Sequence, residues 1–170
     1  MPLQNRVNPQ RQIVIDQAYG TLMGNRGQLH NEQQQIIRPW KLQRWITCAV
    51  EYGGIKRKLM SPNSYTELFF LDEVTALAAG HRPCFECRRS HAIAFSQAWS
   101  RAHGHRLRAP EMDAVLHAER LDGRAKRTHH GNIADLPDAA MMVCEGTAFA
   151  IRGKTILRWS PAGYAESRER

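Results

Sequence analysis

YTELFFLDEVTALAAGHRPCFECRRSHAIAFSQAWSRAH, residues 65–103, changes its hydrophobic pattern twice. Tyr65–Leu71 is rich in strand formers and apolar in its second half, as in a strand inside a sheet. Asp72 or Glu73 then opens a short helix through Ala79, with Gly80 as its stop and Pro83 just beyond. A longer helix is predicted from about Glu86 to His103. Its apolar positions Ala92, Phe95, Ala98, Trp99 and Ala102 recur at helical spacing, with Ser96, Gln97 and Arg101 outside that stripe.

Strands are predicted on both sides of this helical middle. Upstream, Gln12–Ile15 reads as a short strand. Arg44–Glu51 and Ile55–Met60 read as a β-hairpin turning at Gly53-Gly54, with Lys56, Arg57 and Lys58 as a basic strand end. Downstream, a third helix is predicted from Pro110 to about Leu121, stopped by Gly123, with Ala114, Val115, Ala118 and Leu121 on its buried face. Met141–Cys144, Thr147–Arg152 and Thr155–Trp159 then read as strands separated by turns at Glu145-Gly146 and Gly153-Lys154. The expected class is α+β, and the 170 residues are expected to form a single domain, with a metal-binding segment over about 44–103.

Hydrophobic residues make up 42% and charged residues 24% of the chain, the balance of a globular protein able to bury a core without disulfides. No apolar run is long enough to span a bilayer, and MPLQNRVNPQ has no secretion core, so a cytoplasmic protein with no membrane partner is expected. The formal net charge is +8, concentrated as +6 in residues 1–60 and +3 in residues 91–130. Such a balance attracts polyanions, of which nucleic acid is the commonest in a cytosol. The cations expected to meet phosphates are Arg26, Lys56, Arg57, Lys58, Arg88, Arg89, Arg124, Lys126 and Arg127.

Of the cysteines, Cys84 and Cys87 stand two residues apart at the expected start of the long helix. There the helix dipole and Arg82, Arg88 and Arg89 favour the thiolate that a metal needs. Zinc takes four ligands, and one such pair supplies half. Cys48, on the predicted hairpin, reads either as a third ligand or as a small buried apolar residue. His91, one helical turn after Cys87, reads either as a ligand or as a solvated histidine. Cys144, on a late predicted strand, reads as core in preference to a metal ligand.

Leu68-Phe69-Phe70, the run Ala76–Gly80, and Arg82-Pro83-Cys84 with Cys87 resemble the zinc-binding N-terminal domain of Ada, the methyl-phosphotriester repair protein. The likeness covers residues 65–90 and implies a small zinc fold that contacts DNA. That family carries a second cysteine pair upstream, where this chain has Cys48 alone, so methyl transfer to a cysteine is not expected. The chain as a whole also looks like a group of bacterial proteins, a likeness that implies no activity.

Three further patterns stand out. Gly20–His30 contains Gly20, Gly24 and Gly27 and reads as an ordered loop that could cradle a phosphate with Arg26. On the third helix Asp113, His117, Arg120 and Arg124 form a polar stripe expected opposite the buried face. It reads either as a solvated charged face or as a hydrolytic site, a phosphodiesterase using His117, Glu119 and His129 with Arg120 and Arg124 holding phosphate. Trp40-Lys41 and Arg44-Trp45 could stack bases, although Trp45 reads better as a half-buried sheet residue.

Overall fold

The computed structural model describes residues 1–54 and 58–169. It is an α+β structure. In chain order it runs β1 (Gln4–Val7), β2 (Ile13–Ile15), β3 (Leu22–Asn25), β4 (Ile46–Ala49), β5 (Leu68–Phe70), α1 (Glu73–Ala78), β6 (Arg82–Pro83), α2 (Arg89–His103) and α3 (Ala109–Glu119). There follow a small ribbon of β7 (Leu121–Asp122) and β8 (Ala125–Lys126), a 3-10 turn at Ile133–Asp135, then β9 (Met141–Cys144), β10 (Thr147–Arg152), β11 (Thr155–Ser160) and β12 (Gly163–Glu169).

The first sheet has the order β2-β1-β5-β3-β4-β6. It is mixed: β1 runs parallel to β5 and β4 parallel to β6, while the other neighbours are antiparallel. Val7, Leu29, Leu68 and Phe70 pack with Ala76 and Ala79 of α1 to form its core. The second sheet, β9 to β12, is an antiparallel meander around Phe149, Ile151 and Ile156. Asp72 joins the two parts. One carboxylate oxygen caps α1 by accepting from the amide of Thr75 at 2.7 Å, and the other accepts from the Tyr164 hydroxyl at 2.7 Å. Among the described residues no helix is long and apolar enough to cross a membrane.

The structure corrects several sequence expectations. β4 does not form a hairpin with the segment after it. Its partners are β3 and β6, and the chain instead turns at Met60, which is buried at positive φ with its amide bonded to Glu67. Ile55, Lys56 and Arg57 of the expected second arm lie outside the described residues, and Lys58, Leu59 and Met60 form no strand. Gly20–His30 is not a phosphate loop, since it contains β3. Only Gly27 of its glycines has a positive φ, while Gly24 is small because the Phe70 ring lies against it. In α2 the buried stripe is Ala92, Ser96 and Trp99, so Ser96 faces in and Ala98 faces out.

The largest correction concerns α3. Ala114, Val115 and Ala118, expected inside, are exposed, whereas Met112, Asp113 and Arg120 are buried. The stripe expected to face water is the face turned inward.

Candidate metal centre

The parallel pairing of β4 with β6 builds the centre. Thr47 stands opposite Pro83, and the amide of Cys84 donates to the Thr47 carbonyl at 2.9 Å, which carries Cys84 alongside Cys48. Proline is tolerated in β6 because that strand lies at the edge of the sheet. The chain then makes a tight turn through Phe85, Glu86 and Cys87, and the amide of Arg88 donates back to the Cys84 carbonyl at 3.1 Å. Cys87 thereby returns to the same point. α2 begins only at Arg89, so both cysteines sit in the turn before the helix and not within its first turn.

The Sγ atoms of Cys48, Cys84 and Cys87 all lie within 4.8 Å of one another. Tetrahedral zinc with Zn–S of about 2.3 Å requires S···S of about 3.8 Å, so a small contraction would let the three sulfurs hold one ion. Two backbone amides already point at the sulfurs: Glu86 donates to Cys84 Sγ and Ala49 to Cys87 Sγ, each at 3.4 Å. Among the described residues no fourth His, Cys, Asp or Glu joins the group. His91 is exposed on α2, beside the Ser90 hydroxyl at 3.3 Å, and is outside the cluster. Cys144 is exposed on β9, not core.

Electrostatics separate the three thiols. Burial pushes Cys48 far above its ordinary value, and Cys84 and Cys87 push the same way. Burial also opposes ionisation of Cys84, but the amides of Cys87 and Glu86 and hydrogen bonds from Cys87 and Cys48 outweigh it, leaving that thiol below its ordinary value. Burial keeps Cys87 raised despite the amide of Ala49. A cation among the sulfurs would supply the charge that lets the other two ionise. The arginines expected to do this are occupied elsewhere. Arg82 is bound by both carboxylate oxygens of Asp113 at 2.8 and 2.7 Å, and Arg88 by Glu73 and Thr47, while Arg89 is exposed.

The expected catalytic candidates are not brought together. His117 is half-buried between Trp40 and Trp45, with both ring centroids 5.9 Å away, whereas Glu119 and His129 are exposed. The expected phosphate-contacting cations divide in the same way. Lys58, Arg89, Arg124 and Arg127 are exposed. Arg26 and Arg88 are buried and cannot line a surface, and Lys126 is half-buried, donating to the Ala78 carbonyl at 2.7 Å. Trp45, at 0% exposure, cannot stack a base.

The class defined by this fold and site is an α+β protein with a cluster of three cysteines able to bind a metal. Comparison of the chain with family profiles, with curated proteins and with solved structures found no match.

Proposed function

We propose that the protein binds zinc through Cys48, Cys84 and Cys87 and associates with nucleic acid, in the first place DNA. The observation that carries this reading is the convergence of three sulfurs from two separate elements, two of them receiving backbone N–H groups. Such amide donors favour thiolates, and a cluster of thiolates is the softest donor set a protein offers, which selects zinc over hard cations. The ion would tie β4 to the turn before α2, and its contribution would be to folding rather than to reaction chemistry. Free thiols of this kind are at home in a reducing cytoplasm. The nucleic-acid part is supported by the net charge of +8 and by the exposed cations Arg89, Arg124 and Arg127. The resemblance of residues 65–90 to the Ada zinc domain favours DNA over RNA.

Metal analysis of the purified protein is the direct test. About one zinc per chain is expected for the parent and a clear loss for Cys84→Ser; metal-free parent protein that takes up no added zinc would overturn the reading. Affinity for a DNA duplex should fall steeply as salt rises, because several phosphate contacts release counterions. A flat salt response would remove the nucleic-acid part alone.

A further inference from the structure

Three arginines from distant parts of the chain meet around Trp45, and among the described residues no acidic side chain bonds to any of them. Arg26, beyond the end of β3, is 0% exposed, and its guanidinium carbon stands 4.4 Å from the Trp45 ring centre. Arg120, at the end of α3, is 8% exposed and stands 4.5 Å from the same ring. Arg11, held at a positive φ of 76°, lies 5.2 Å from Trp40 and 5.6 Å from Trp45. Asp113, whose charge favours the charged form of Arg120, is taken at both oxygens by Arg82.

The hydrogen bonds these arginines do make go to neutral groups. Arg26 donates from Nε to His81 Nε2 at 3.0 Å and from Nη1 to the carbonyls of Arg11 and Pro39. Arg120 donates from Nε to the Leu116 carbonyl at 2.7 Å. Arg11 donates from Nη2 to the Arg124 carbonyl at 2.6 Å. Four buried nitrogens are left without a partner: Nη1 of Arg11, Nη2 of Arg26, and Nη1 and Nη2 of Arg120. Burial disfavours the charged form of all three guanidinium groups and of the neighbouring Lys126; repulsion from Arg11 and Arg120 adds to it at Arg26 and Lys126, and at Arg120 repulsion from Arg82 and Arg11 adds to it while Asp113 acts the other way. Buried charge with so little compensation is costly and is relieved by a counterion.

Of the three arginines, Arg11 lines a cleft of about 380 Å³. Arg11 and Pro39, whose carbonyls accept from Arg26, also line it, together with Arg38, Gln10 and Gln12, and no carboxylate does. The buried guanidinium of Arg26 is thus bonded to two residues of the cleft wall.

We propose that this cluster is a binding site for a small oxyanion of the phosphate class, seated against Arg11, Arg26 and Arg120 and reached from the cleft. Guanidinium groups present paired N–H donors at the spacing of phosphate oxygens, and the unpartnered nitrogens are those such an anion would use. Because these nitrogens are shut away from the surface, the fitting ligand is a free phosphate or a small phosphomonoester rather than the backbone of a nucleic-acid duplex. The site shares no residue with the cysteine cluster and is independent of the metal reading.

Calorimetric titration of the full-length protein with inorganic phosphate, against chloride at matched ionic strength, tests this directly. One phosphate is expected to bind per chain, with the thermal midpoint rising with phosphate and not with chloride. Arg11→Gln, at a half-buried position, should keep the fold by circular dichroism and weaken phosphate about tenfold or more. Arg120→Met should lose the phosphate response while being at least as heat-resistant as the parent without phosphate, because it removes a buried charge that is only partly offset. Absence of phosphate binding at millimolar concentration overturns the proposal, as does equal binding by the parent and both variants, which would mark adventitious surface ions. A single-stranded oligonucleotide that binds in an Arg11-dependent way where inorganic phosphate does not would likewise overturn it, in favour of a polymer contact.

Discussion

Gly80 carries a φ of +86°, and a Cβ built there would lie 3.1 Å from Cδ of Arg120. It closes α1 with a pair of bonds, its own amide to the Leu77 carbonyl and the amide of His81 to the Ala76 carbonyl. Gly80→Ala therefore meets backbone strain and a crowded neighbour together. An expected loss of about 1 kcal/mol or more follows from the left-handed conformation alone, checked by the urea midpoint of the variant against the parent. The stop at Gly80 was readable from sequence because helix termination is local chemistry. Gly24 was not, since the reason for its lack of a side chain is the Phe70 ring, 46 positions away. Arg11 was equally out of reach: nothing in its own neighbourhood tells that it will stand beside Arg26 and Arg120.

At the scale of elements, the buried Arg82–Asp113 pair fastens α3 to the edge strand β6, with both partners nearly inaccessible to water. Breaking it by Asp113→Ala leaves an unneutralised guanidinium inside and should cost about 3–5 kcal/mol. Replacing both by Arg82→Met and Asp113→Leu should cost less than the single change, and denaturant unfolding of the two variants checks that order. This pair also explains why α3 was read inside out. Its apolar residues are mostly alanine and valine, small enough to be left exposed, while Asp113, His117 and Arg120 turn toward β6 and the tryptophans. Local periodicity identified α2 and the extent of α3, and strands Met141–Cys144 and Thr147–Arg152 matched their expected limits. The pairing of β4 with β3 and β6 was invisible, because register across a mixed sheet is fixed by tertiary contacts and not by the strand's own residues. For the same reason the cysteine pair could be singled out from its spacing, whereas the alternatives for Cys48 were separated only when β6 set Cys84 beside it.

The molecule as a whole is held at a point where charge and burial oppose each other, and acid should expose this. His81 is fully buried behind β6, against Trp45 and Phe70, with Nε2 accepting from Arg26. Burial first, and then the charges of Arg26 and Arg120, hold its imidazole well below the ordinary value of 6.5. The half-buried His117 is lowered too, by burial and by Arg120 and Arg11. A depressed histidine stabilises the fold above the unfolded-state value and ceases to do so as pH falls toward the folded-state value, because the unfolded chain takes up a proton that the folded one refuses. The stability of the protein should therefore be nearly flat above neutrality and decline below about pH 6.5, with His81 contributing a slope of at most about 1.4 kcal/mol per pH unit. Urea midpoints measured across that range for the parent and for His81→Gln check this, the variant being expected to lose part of the acid dependence. An unchanged acid dependence in His81→Gln would mean that His81 is not the group responsible. Phosphate seated among the three arginines would offset part of the charge that holds His81 neutral and so narrow the gap between its folded and unfolded values, so adding it should make the decline below about pH 6.5 shallower while raising stability throughout.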